Sequence, residues 1–299
     1  MVALLMAGSL GAAGTGALAQ ENNPDEAASE SESEPQIYAD SLTHLEDWGS
    51  YAVTVQNERM YFGSGNRLIV ADVSDPSRPR EVSRLQLPYL VRDVHASGEY
   101  LYVANDAGGF RVIDVTDPVE PTEVASMQFA DRVDAVDVED GRAYLAARSE
   151  GVRILDVSDP SSPTELGHFE TDDQAAGVAV DGEIAHVAAT YGGHRIVDVS
   201  DPANPEEIGF AVRGSYDQGY SWDVALADSF AFVANVEIGL RRVNVANPAD
   251  AAPTVEILQT VRYTNDNRYR HEVLSRPASV EIFNQFAYVA DMNDGLRIV

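Results

Sequence analysis

Short apolar runs alternate along the chain with clusters of Asp, Ser, Gly and Pro, and the alternation repeats. The segments "RLIVADVSDP", "FRVIDVTDP", "VRILDVSDP" and "HRIVDVSDP" place aspartates at Asp72, Asp114, Asp156 and Asp198, a period of 42 residues. The apolar runs are too short and too rich in Val and Ile for helices, and prolines punctuate each unit, so they predict strands. One unit reads as four of them: "VDAVDV" from Val133, "RAYLAA" from Arg142, "VRILDV" from Val152 and "TELGHFE" from Thr164. The second and third are apolar at nearly every position, the pattern of strands covered on both faces. Units of roughly 40 to 50 residues, each holding four short strands, predict propeller blades.

Aligning the first strands makes Val53, Val94, Val136, Val178, Val224 and Val280 equivalent, which predicts an all-β propeller of six four-stranded blades. The sequence ends in "GLRIV", inside a third strand, while "PQIYADSLTHLE" ahead of Trp48 reads like the fourth strand "PTEVASMQFA" ahead of Asp131. The N-terminal strand is therefore expected to complete the last blade and close the ring, leaving no open sheet edge. If the native chain continues past Val299, a seventh blade is the expectation instead.

The third-strand segments Leu68 to Asp72, Arg111 to Asp114, Arg153 to Asp156, Arg195 to Asp198, Arg241 to Asn244 and Leu296 to Val299, with the "DVSDPxxP" turn behind them, resemble the LVIVD-repeat family. The resemblance covers about residues 36 to 299; the fifth unit departs from it, with "RRVNVANPADAAP" in place of the aspartates. It implies a propeller that is secreted or displayed on the surface of a prokaryotic cell, frequently a halophile, and no shared enzymatic activity.

Charge narrows the class of partner. Acidic residues number 49 against 20 basic ones, all of them arginine, for a net charge of −29. Such a surface repels nucleic acid and anionic lipid. Self-repulsion strains it in dilute buffer, whereas at about 1 M salt the Debye length falls to roughly 3 Å and neighbouring charges stop sensing one another. The composition reads as salt-adapted. Cysteine is absent, which rules out disulfides and thiolate metal sites.

Residues 1–19, "MVALLMAGSLGAAGTGALA", end in the small-x-small pattern Ala17-Leu18-Ala19 and read as a signal peptide whose charged leader lies upstream. Residues 20–35 are rich in Glu, Ser and Asn and read as a disordered acidic spacer, with the propeller over 36–299. Export to the cell surface without a transmembrane span in the mature chain is the expectation.

In a propeller, the loops joining fourth to first strands and those joining second to third gather at one end, the usual binding face. The first set brings Trp48, Tyr89, Arg92, Arg132, Tyr220 and Trp222; the second brings Tyr191, together with Asn105, Asp106, Arg148 and His194. Aromatic and arginine side chains are the anchors of interfaces and of sugar platforms; the competing reading makes these aromatics a packed plug in the ring. An insertion adds Arg262, Arg268, Tyr269, Arg270 and His271, a cationic loop suited to carboxylates through bidentate guanidinium contacts. The expected partner of this monomeric module is a surface protein, a carbohydrate or a small anionic ligand.

Chemistry is sparser. First strands carry His95 and the carboxylates Asp93, Asp134, Asp137, Asp223 and Glu281 toward the axis, candidates for a metal site, calcium first, or for an acid and base pair. No serine elbow, metal-binding histidine pair or Gly-rich phosphate loop accompanies them, so no catalytic residue is assigned. The reading is a non-enzymatic binding module; the alternative is a hydrolase or lyase using those carboxylates. The "DVSDP" turns also invite calcium, but Asp, Ser and Pro start turns by bonding their own backbone, and a structural turn is the expectation.

Overall fold

The computed structural model describes residues 52–75, 78–211, 220–236, 239–247, 255–258, 277–283, 286–291 and 295–298. Its strands form five four-stranded antiparallel sheets and one three-stranded sheet, each paired in chain order through hairpins. The third sheet comprises Ala135–Glu139, Arg142–Ala146, Val152–Asp156 and Thr164–Phe169. The six valines aligned by sequence hold one register. Val53 faces Phe62, Val94 faces Val103, Val136 faces Leu145, Val178 faces Val187, Val224 faces Val233 and Val280 faces Val289. The expected signal peptide, the spacer and the strand from Ile37 to Leu45 lie outside the described residues, as does the insertion from Arg262 to Arg276.

Hydrophobic pattern decides burial. In the second sheet, Tyr100–Ala104 and Phe110–Asp114 are almost wholly buried, while the outer strand Thr122–Met127 is half exposed. The core lies between neighbouring sheets: Tyr102, Phe110 and Val112 of the second sheet pack on Val136, Leu145 and Leu155 of the third. Each such fully buried side chain contributes roughly 1.5 to 3 kcal/mol. Outer strands carry an extra residue opposite Val70/Ala71, Val112/Ile113, Ile154/Leu155 and Ile196/Val197, a repeated bulge that twists the outer edge away from flat pairing.

First strands meet one another directly. Val53–Gln56 lies against Asp93–Ser97, that strand against Ala135–Glu139, and the series continues through Gly177–Asp181 and Ser221–Ala227 to Pro277–Phe283. At Gly177 a Cβ would stand 2.8 Å from the Asp223 Cα and 3.0 Å from the Trp222 carbonyl oxygen, so only glycine permits that approach. Carboxylates staple the seams. Asp93 Oδ2 accepts from the Val136 amide at 2.9 Å, Asp137 Oδ2 from Val180 at 2.8 Å and Asp223 Oδ2 from Val280 at 3.0 Å. Among the described residues no helix is long and apolar enough to cross a membrane.

Candidate functional site

The two ends of the sheets differ in what their loops do. At one end the "DVSDP" turns satisfy themselves: Asp156 Oδ1 accepts from the Ser158 amide at 2.9 Å and from its hydroxyl at 2.6 Å, and Asp72 does the same with Ser74. Asp114, Asp198 and Asn244 cap the amide two residues on in the same way. These are Asx turns, as the residue types imply. The hydrogen bonds hold the Asp156 and Asp198 carboxyls below their ordinary pKa.

At the other end the loops reach across the seams. Asp106, Arg148 and Thr190, each between a second and a third strand, take positive φ of 52°, 52° and 33°. Each pairs through its backbone with the next sheet: Asp106 with Val133, Arg148 with Ala175 and Thr190 with Ser221. Left-handed backbone costs a non-glycine residue about 1–2 kcal/mol, and the cross-seam bonds hold it there.

This geometry assembles a ladder of charges. Arg92 Nε stands 3.2 Å from Asp106 Oδ1, Arg132 Nε 2.9 Å from Asp134 Oδ1, and Arg148 Nε 2.5 Å from Asp134 Oδ2. Arg148 also donates to Gln174 Oε1 at 2.8 Å. Burial pushes the Asp134 carboxyl up to about 6 against the pull of Arg132 and Arg92, which leaves it ionised at neutral pH. Beyond Arg148 the ladder becomes aromatic. The guanidinium carbon lies 5.1 Å from the centre of the Trp222 ring, Trp222 meets Tyr220 at 5.7 Å, and Tyr220 meets Tyr191 edge-on at 5.4 Å. Trp222 occupies a bulge between the Ser221 and Asp223 pairs, which turns its side chain out of the ladder register. Trp222 and Tyr220 are half-buried and Tyr191 is exposed, so each of these rings keeps a part that faces solvent.

Along the axis a second group forms. His95 Nδ1 lies 3.0 Å from Asp137 Oδ1. Burial opposes a charged imidazole there, but the hydrogen bond and the charge of Asp137 prevail and raise the His95 pKa. Burial pushes Asp93 up to about 7 despite the Val136 amide, with nearby Asp223 adding to the rise; burial also raises Asp223. Glu281 is crowded by protein yet open to solvent, and that crowding, with the charges of Asp223, Asp93 and Asp137, lifts it to about 7. Glu281 thus senses carboxylates from three other sheets. Asp134, grouped with these carboxylates from sequence, stands instead among the arginines. Among the described residues no three carboxylate or histidine side chains come together as a metal site.

Of the residues expected on the binding face, Arg92, Arg132, Tyr191, Tyr220 and Trp222 fall on one continuous strip, with Tyr89 exposed near its Arg92 end. Trp48, Arg262, Arg268, Tyr269, Arg270 and His271 lie outside the described residues. Asn105 and His194 do not reach the surface: both are fully buried. Asn105 donates to the Tyr89 and Leu90 carbonyls and accepts from Arg111 Nε, tying the loop down. His194 Nε2 meets His186 Nδ1 at 3.0 Å in a stacked pair, and burial lowers both pKa values, His186 to about 4. The two belong to one hairpin, whose register puts Ala188 opposite His194 and Ile196 opposite His186.

Comparison with known proteins adds the family and the shape. The family model described as the LVIVD repeat matches residues 52–86, 90–128, 132–171, 173–211, 218–254 and 277–299. No curated protein matches the sequence. Among solved structures, the β-propeller domain of Cps50 (Swd1) from Myceliophteria thermophila is similar at 13% identity and TM-score 0.62, covering 85% of this chain and 87% of that one. U3-55K is similar at 12% identity and TM-score 0.65, covering 85% and 77%. The computationally designed Ika8 protein is similar at 9% identity and TM-score 0.60, covering 84% and 70%. Identities this low speak for the fold alone, a propeller, and a fold hosts many activities.

Proposed function

We propose that this chain, which belongs to the LVIVD-repeat family, is an exported, salt-adapted β-propeller that binds a partner at the cell surface through the strip from Arg92 to Tyr191. The observation that carries this is the run of half-exposed aromatic rings abutting Arg148, on the end whose second-to-third-strand loops pair with the next sheet. Propeller domains commonly serve as interaction platforms, and rigid rings beside guanidinium groups are the usual anchors of such contacts. In molar salt, charge steering is screened, so stacking and apolar contact must supply the affinity. In this reading residues 1–19 direct export.

The test uses the full mature chain immobilised in molar salt and challenged with envelope proteins and polysaccharide from its own cells. Trp222→Ala with Tyr220→Ala lowers capture about thirty-fold or more, the loss of a hot spot, while the variant keeps a cooperative melting transition. Capture equal to that of the parent protein removes the strip from the reading. Arg268→Ala with Arg270→Ala examines the cationic insertion in the same assay.

A hydrolase or lyase at the axis is the second reading, favoured by the Asp93 and Glu281 carboxyls held near neutrality. Turnover of a glycan or ester abolished by Glu281→Gln would establish it.

A further inference from the structure

The seam between the first two sheets holds a solvent-open cavity of about 550 Å³, a size that suits one or two sugar rings. Ser64, Asn66, Gln86, Tyr89 and Asp106 are among its lining residues, from both sheets. Its walls are pinned by backbone: the Val91 amide donates to the Gly65 carbonyl at 2.9 Å and the Leu87 amide to Asn66 at 2.9 Å. Gly63 lets the two sides close up, since a Cβ there would stand 2.6 Å from that of Val91. The backbone of the site is therefore formed before any ligand arrives, and only side chains need move for a ligand to reach Ser64.

The groups inside are neutral or already engaged. Asp106 is held by Arg92 at 3.2 Å, and Arg67, also on the wall, is engaged within the protein. Neither is free to take a phosphate or an ammonium group. Asn66 and Gln86 each donate from the side-chain amide to the Leu87 carbonyl. Tyr89 presents a ring that is 49% exposed. Ser64 is different: the residue is only 3% exposed, and its hydroxyl has no hydrogen-bond partner. A buried hydroxyl left unpaired is unfavourable, and a ligand hydroxyl relieves it. We propose that this cavity is a carbohydrate subsite, in which a neutral sugar ring stacks on Tyr89 and exchanges a hydrogen bond with the Ser64 hydroxyl. The inference goes beyond the partner-binding strip, because the cavity can fill whether or not the strip holds a protein.

Ligand-observed NMR on the full mature chain in molar salt tests it, with methyl glucoside, methyl mannoside, methyl galactoside, N-acetylglucosamine, maltose and cellobiose as probes and glycine and inorganic phosphate beside them. At least one neutral sugar binds in the millimolar range or better. Tyr89→Ala weakens that binding about ten-fold, as expected when a stacking ring is lost. Ser64→Ala weakens it several-fold while leaving the melting temperature unchanged or higher, since the hydroxyl has no internal partner to lose. Ser64→Ala leaves partner capture intact, whereas Trp222→Ala leaves sugar binding intact, which separates this site from the strip. Silence from all six sugars, binding indifferent to Tyr89→Ala, or preference for glycine or phosphate overturns the proposal.

Discussion

The two ends of the sheets are made from the same hairpins yet spend their polar groups in opposite ways. At the "DVSDP" end, Asp72, Asp156 and Asp198 bond the amide two residues along, so the side-chain caps close within each turn, while neighbouring sheets meet through bonds such as Ser83 Oγ to the Pro118 carbonyl and the Gly182 amide to Glu139. At the other end, Arg148 bonds Asp134 and Gln174 from neighbouring loops and Asp106 reaches Arg92. A turn that closes on itself offers a ligand little. One that depends on its neighbours is held rigid by them and leaves aromatic and guanidinium surfaces facing out, which is why the aromatic strip and the cavity at Tyr89 lie at that end.

Two glycines of similar conformation give the sharpest way to break this contrast. Gly141, at the self-contained end, has φ of 74° and nothing nearer than 3.6 Å to a would-be Cβ. Gly151, in a cross-seam loop, has φ of 70°, but its Cβ would strike the Phe169 carbonyl oxygen. Gly151→Ala is expected to cost about 3 kcal/mol or more, strain and collision together, against about 1 kcal/mol for Gly141→Ala. Denaturant titration in molar salt measures both, and equal losses would show that the two ends are equally tight.

Next in size is a pair of aspartates. Asp134→Ala strands the buried Arg148 guanidinium and is expected to cost about 3 kcal/mol. Asp156→Ala removes only the exposed cap on Ser158 and lowers the melting temperature slightly. Calorimetry on both variants decides; a larger loss from Asp156→Ala reverses the comparison.

The smallest effect contrasts the axis with the interior of the fourth sheet. The Asp93 and Glu281 carboxyls are raised to about 7, so the stability they contribute is full below about 4 and is lost as pH rises through 7. His186 is lowered to about 4, so its contribution is full above about 6.5 and is lost as pH falls toward 4. Glu281→Gln is expected to flatten the alkaline side of the melting-temperature profile, and His186→Gln the acid side. An unchanged profile in either variant contradicts the protonation state assigned to that group.

One further contrast is written in register. In the second, third and fourth sheets, an arginine on the third strand meets a glutamate on the fourth: Arg111 with Glu123, Arg153 with Glu165, Arg195 with Glu207. In the fifth, Val255 stands across from Val243, where that glutamate would be. Arg241 is left buried with its Nε unbonded and its pKa lowered by burial. The sequence had marked this unit as the departure from the repeat, but the consequence for Arg241 needed the pairing.

The repeat period and the alternation of apolar runs determined the strands, their order within each sheet and the alignment of the six valines, because hairpin pairing is local and burial follows side-chain type. The Asx turns were equally legible, since Asp156 and Ser158 interact within three residues. What only the tertiary structure decided is which loops lean on which. That Asp134 joins three arginines and not the axial carboxylates, that Asn105 turns inward beneath Tyr89 and Leu90, and that Ser64 and Tyr89 enclose a cavity all depend on how loops and sheets pack together. Asp134 meets Arg92 from the preceding repeat, and the Val91 amide meets the Gly65 carbonyl from the preceding sheet, and no local preference of the backbone encodes either meeting.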